Sequence, residues 1–192
     1  GNMYGYTTSA RMYLKQKNYE AEKWAQFYAE PFNVFSALTG RDVDDQYLDK
    51  AWDLIVQNSS HDSIGGCSLD QIHDDMMDRY RQAIDISKGV FERSIKHIIK
   101  NLYLPEVSNE NLFLLAFNPN NYLRNEVVEC FIDLPKEFDK GDFNIFDLNG
   151  NQIEKQIVSL KPYQPVLEQL IDRPMYFDMM RYHCFIDLKS VP

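Results

Sequence analysis

The chain has 192 residues, 44% hydrophobic and 14% aromatic, which excludes a disordered polypeptide and supplies one ample domain or two small ones. Asp and Glu outnumber Lys and Arg by 29 to 20, a formal charge of −9, and the basic residues form no stripe; nucleic acid and anionic membrane surfaces are therefore excluded as partners. Cys67, Cys130 and Cys184 stand far apart without a Cys-x-x-Cys pair, which fits a reducing, cytoplasmic setting, and no apolar run approaches the ~20 residues of a membrane span.

Residues 9 to about 38 carry helix formers (Lys15, Gln16, Glu20, Ala21, Ala25), with Pro31 expected to begin a new or kinked helix. Tyr4, Tyr6, Tyr13, Tyr19, Trp24 and Phe27 crowd this region; rings at helical spacing read as core more readily than as a sugar platform. A second helix is expected over Asp45 to Gln57, with Leu48, Ala51, Trp52 and Ile55 on one stripe. Ser68 with Gln71 reads as a capping box opening a third helix over 69–102, a rod of roughly 50 Å. Its expected stripe is Ile72, Met76, Tyr80, Ala83, Val90, Phe91, Ile95, Ile98 and Leu102.

Of eight prolines only Pro31 precedes Pro105, so the chain should change character near Leu104-Pro105-Glu106. Beyond it, Asn111 to Asn118 is a short apolar run ending at Asn118-Pro119, a turn signal. In Glu126 to Leu134, the residues Val128, Cys130, Ile132 and Leu134 alternate onto one face. Asn149-Gly150 joins 143–148 to 152–160 as a hairpin, and 175–188 supplies one or two more strands. The expected class is α+β: an antiparallel bundle of about three helices over 1–104, then an antiparallel β-sandwich-like segment over 105–192.

The segment from Gln57 to Ser68 is far richer chemically than a helix–helix connection requires, with a His61-Asp62 pair, paired glycines and Cys67. His61 offers a metal-ligating nitrogen and Asp62 an acceptor for sugar hydroxyls, although a polar capping loop explains both as simply. Asp70, His73, Asp74 and Asp75 read as solvated charges at the start of the long helix, and His97 and His183 stand alone. Cys67 reads as a buried or inert thiol.

The run Gln57-Asn58-Ser59-Ser60-His61-Asp62-Ser63-Ile64-Gly65-Gly66-Cys67-Ser68, followed by Asp70-Gln71-Ile72-His73, resembles the middle helical domain of glycoside hydrolase family 38, in its bacterial branch. Thr8 to Lys15 is similar to the segment leaving that family's catalytic barrel, and Ala116 to Pro119 with Val127 to Pro135 to the opening of its C-terminal β region. The resemblance implies part of a zinc-dependent retaining α-mannosidase acting on terminal α-mannosides, with His61 as a Zn2+ ligand and Asp62 contacting the sugar. It also implies that the nucleophile, the acid/base and the other zinc ligands belong to an N-terminal barrel absent from this sequence, so that the fragment alone is inactive. The alternative is a non-catalytic module that presents aromatics to a glycan or a protein partner.

Overall fold

The computed structural model describes residues 5–103, 112–165 and 176–191, and the chain divides into two units, Gly1–Leu112 and Phe113–Pro192. The boundary expected at Leu104-Pro105-Glu106 lies outside the described residues.

Helix formers carry α1 (Met12–Lys23) directly into a π-turn (Trp24–Ala29) and then α2 (Glu30–Leu38). Pro31 is the reason for the π segment. A proline lacks the N–H for an i−4 bond, and the ladder resets just before it, with Glu30 N–H reaching back to Ala25 O. The expected kink is thus absorbed as a change of register. Helix α3 (Asp45–Gln57) buries Leu48, Ala51, Leu54 and Ile55, while Trp52 is half-buried and donates Nε1–H to Glu30 at 2.6 Å. After the short α4 (His61–Gly65) comes α5 (Asp70–Asn101), against which the earlier helices pack.

The capping box does not form. Leu69 is the extended residue before α5 and no side chain caps it, because the turn leaving Gly66 delays the helix start beyond Ser68. The buried stripe of α5 is His73, Met76, Tyr80, Ala83, Ile84, Ser87, Val90, Ser94 and Ile98; Ile72 and Leu102 are exposed. Around Phe91, Trp24, Tyr28 and Phe32 pack edge-on at centroid distances of 5.0 to 6.0 Å. Tyr6, Tyr13, Tyr19 and Phe27 are exposed, not core, and Tyr4 lies outside the described residues.

Buried polar groups tie α2 and α3 to the far half of α5. Asn33 accepts the Asp44 N–H at 3.0 Å, capping α3 from a neighbouring helix. Arg41 donates to Asn33, Ser36 and Ser94 and pairs with Asp44, which also takes Arg93 Nε–H at 3.0 Å.

In the second unit, β1 (Arg124–Pro135), β5 (Met179–Val191) and β4 (Lys155–Tyr163) form an antiparallel sheet in the order β1-β5-β4, beside a two-stranded ribbon of β2 (Ile145–Phe146) and β3 (Gln152–Ile153). Central β5 buries Tyr182, Cys184 and Ile186, facing Ile132, Cys130 and Val128 of β1. The expected hairpin is present, but its loop is Asp147–Asn151. Asp147 Oδ1 accepts both the Asn149 and the Asn151 N–H at 2.8 Å, and Gly150 takes the left-handed φ of +82°. The single strand expected over 152–160 breaks at Glu154 and divides between the two sheets.

The apolar run 112–118 forms no strand, and Asn111 and Met175 lie outside the described residues. Leu114, Leu115, Ala116 and Phe117 instead line a cavity of about 270 Å³ against β1 and β5. A continuous apolar run carries no period, so it fits a strap over a sheet as well as a strand in one.

Burial alone would push the Asp44 carboxyl up, but the hydrogen bonds from Arg41 and then Arg93 more than reverse it, so the group titrates below its ordinary 3.8. A depressed carboxyl stabilises the fold fully above its unfolded-state value, and that stability is lost as pH falls through the folded value. We expect Asp44→Asn to lower stability by about 1–2 kcal/mol at pH 7. The deficit should narrow as the pH drops below about 4. Urea midpoints of both proteins from pH 7 to pH 3 check this, and a deficit constant over that range would contradict it.

Candidate functional site

The connection from α3 to α5 is closed mainly by backbone hydrogen bonds and by the buried side chain of Asn58. Asn58, immediately after α3, is completely buried; it donates Nδ2–H to Met76 O at 3.0 Å and accepts Arg79 Nη1–H at 2.9 Å. This fastens the start of the elbow to α5. Ser60 then turns the chain into α4, and Ile64 packs on the bundle core.

The exit is a Schellman closure. Cys67 N–H bonds to Asp62 O and Gly66 N–H to Ser63 O, both at 3.1 Å, with Gly66 at φ +88°. A Cβ on Gly66 would meet Ala10 O and Ala10 Cβ at 3.4 Å, a close but ordinary contact, so glycine is favoured there by its positive φ rather than by space. Arg11, itself in the left-handed region at φ 48°, donates Nε–H to Gly66 O at 3.1 Å and pairs through Nη2 with Asp70 at 2.6 Å. One guanidinium thus spans the end of the elbow and the first residue of α5.

On this frame His61 is 93% exposed and Asp62 61% exposed, with His61 Nε2 3.1 Å from Asp62 Oδ1. Cys67 Sγ lies 3.3 Å from the same oxygen, and this hydrogen bond, then burial, pushes its thiol up. Cys67 is exposed, not buried as expected, and its raised titration keeps it a protonated donor that steadies the carboxylate.

The other candidates are dispersed. His73, expected in solvent, is 1% exposed, and neither ring nitrogen has a partner among the described residues. Asp74 and Asp75 are exposed, and Asp70 is held by Arg11. His97 bonds to Thr39 O at 3.2 Å, and His183 pairs with Glu129 at 2.7 Å while stacking on Phe131.

Zinc needs three or four donors. Among the described residues no group of three His, Cys, Asp or Glu side chains is placed to hold a metal. An exposed imidazole beside a carboxylate fits zinc as a contribution to a larger donor set, not as a complete one.

The residues that build the elbow, Asn58, Arg79 and Arg11, went unassigned in the sequence. Asn58 carried a faint signal, a polar residue directly after an amphipathic helix; Arg11, 55 positions from Gly66, carried none.

The sequence profile of the family described as alpha mannosidase middle domain matches residues 3–98. A protein of Halalkalibacterium halodurans, provisionally named mannosylglycerate hydrolase, is 28% identical over 138 residues, 71% of this chain and 15% of that protein. The crystal structure of an alpha-mannosidase from Enterococcus faecalis V583 superposes with a TM-score of 0.76 at 24% identity, over 96% of this chain and 23% of that one. That of a protein in glycosyl hydrolase family 38, also from Enterococcus faecalis, gives 0.76 at 25%, over 96% and 24%. The chain therefore spans a quarter or less of the length of the proteins it resembles.

Replacing Gly66 by Ala should destabilise the fold by about 1 kcal/mol. The Arg11→Ala variant should keep its helices and exchange the amides of Asp62 to Cys67 faster. Hydrogen exchange read by mass spectrometry checks both, and unchanged protection of that segment would show that Arg11 does not hold the elbow.

Proposed function

The chain belongs to the α-mannosidase middle-domain family of glycoside hydrolase family 38, and on that premise we propose that it serves a zinc-dependent retaining α-mannosidase as the helical middle and the opening of the following β region. The observation that carries this reading is the exposed His61-Asp62 pair on a short helix whose backbone is closed by Asn58, Gly66 and Arg11. A 93% exposed imidazole on a frame this heavily fastened supports reading the pair as ligand-bearing.

In this reading His61 is one zinc ligand and Asp62 accepts hydrogen bonds from the hydroxyls of a terminal α-mannoside. When bound, zinc supplies a template and a Lewis acid at those hydroxyls. Asp62 orients the sugar, and the Cys67 thiol fixes the rotamer that does so. Retaining hydrolysis also needs two carboxyl groups ~5 Å apart, a nucleophile and an acid/base. We assign these, with the remaining zinc ligands, to an N-terminal barrel within the three quarters of the relatives' length that this chain does not match. We further place the protein in a reducing, cytoplasmic compartment, which the three free thiols support. The name of the Halalkalibacterium halodurans relative adds mannosylglycerate to the substrates worth testing.

The 192-residue chain alone should retain negligible zinc and should not hydrolyse an aryl α-mannoside; turnover by the pure chain would overturn the division of labour. In a protein that carries this sequence together with a barrel, His61→Ala should remove zinc and activity while the circular dichroism stays that of the parent. Asp62→Asn should lower kcat/KM for the mannoside about 10–100-fold, the worth of a hydrogen bond to a charged group. Unchanged metal content and kinetics in His61→Ala would return the pair to a structural loop.

A further inference from the structure

We infer that Cys130 and Cys184 form a site of reversible thiol–disulfide modification, which a small disulfide oxidises to a bridge across facing strands. The two residues are directly opposite in the β1–β5 register, and their sulfurs are 3.6 Å apart. Directly opposed antiparallel residues have Cα atoms about 4.5–5.5 Å apart. A disulfide spans ~4.4–6.8 Å between Cα atoms, so bridging requires the sulfurs to close by about 1.5 Å and leaves the strands in place. The remaining contact of the pair is weak: Cys184 Sγ lies 3.8 Å from Cys130 O.

Access is unequal, and that sets the order of events. Cys184 is fully buried, whereas Cys130 is half-buried and lines the cavity beside Val128, Ile186 and Leu114. A small disulfide entering there meets Cys130 first. The Cys130 thiolate attacks one sulfur of the reagent, the reagent's S–S bond breaks, and one thiol departs with a proton from solvent. Cys184 then attacks the Cys130 sulfur of the mixed disulfide, its proton passing to the departing sulfur, which leaves as the second thiol. Two protein thiols lose two electrons in all, and one reagent disulfide becomes two thiols. Burial, and then the neighbouring Cys184, push the Cys130 thiol up to about 12, so little of it is thiolate at neutral pH and the exchange is slow there and quickens as the pH rises. The bridge would clamp edge strand β1 to central β5 across a sequence separation of 54 and so constrain the unfolded chain. The third thiol, Cys67, is exposed and hydrogen-bonded to Asp62, with no cysteine opposite it.

The test treats the reduced chain with excess glutathione disulfide, counts thiols after denaturation and maps the peptides by mass spectrometry. We expect two of the three thiols to be consumed in one Cys130–Cys184 cross-linked peptide that dithiothreitol reverses, with a higher Tm for the oxidised form. In Cys184→Ser, Cys130 should stall as the mixed disulfide with glutathione. Recovery of Cys130 and Cys184 as free thiols under conditions that fully modify Cys67, or a separate glutathione on each, would overturn the inference. If Cys184→Ser does not fold, Cys67→Ser keeps the test decisive, because its two remaining thiols must then disappear together into one peptide.

Discussion

The elbow between α3 and α5 depends on the guanidinium of Arg11 reaching the carbonyl of Gly66. A helix of five residues cannot hold itself in water, since the cost of nucleating a turn is scarcely recovered over so short a span. The α4 segment persists because its ends are fastened elsewhere: to α5 through buried Asn58, and to the turn before α1 through Gly66 and Arg11. The ion pair from Arg11 to Asp70 adds little, because Asp70 is 86% exposed and an exposed pair is screened by water. The part-buried bond to Gly66 O is the stronger member, since the loss of a partly desolvated acceptor is not made good by solvent.

That division between fastening and display explains which side chains are exposed. Ile64 enters the core and Asn58 is lost from view, while the two residues with ligand chemistry, His61 and Asp62, are held at the surface. Cys67 bridges the two roles. Its backbone N–H closes the turn and its thiol supports the Asp62 carboxylate, which also keeps that thiol protonated.

The long helix is stabilised in two ways along its length. Toward its start, aliphatic and aromatic burial dominates, with Met76, Tyr80, Ala83 and Ile84 in one cluster. Further along, Ser87 and Ser94 take core positions: Ser87 bonds back to Ala83 O at 2.8 Å, and Ser94 accepts from Arg41. Small hydroxyls let neighbouring helices approach closely, and the polar atoms so buried are partnered, as burial demands. Among the described residues of the second unit the middle strand carries most of the burial, since β5 has a hydrogen-bonded neighbour on each side over much of its length.

Local chemistry was enough to foresee much of this protein. The period of apolar residues located α3 and α5 to within a residue or so, alternation located β1, and Asn149-Gly150 located the hairpin, because each of these signals acts between near neighbours in the chain. The His61-Asp62 run was conspicuous as well, since a pair of ligand-type side chains with two glycines and a cysteine exceeds what a short connection needs. What lay beyond the sequence was every feature that joins distant positions: Arg11 reaching Gly66, Asn58 reaching Met76, the burial of His73, and the strap at 112–118 in place of a strand. Periodicity reports which face of an element is apolar, but it is silent on the long-range partner that makes a polar residue a core residue. That partner exists only once the chain has folded.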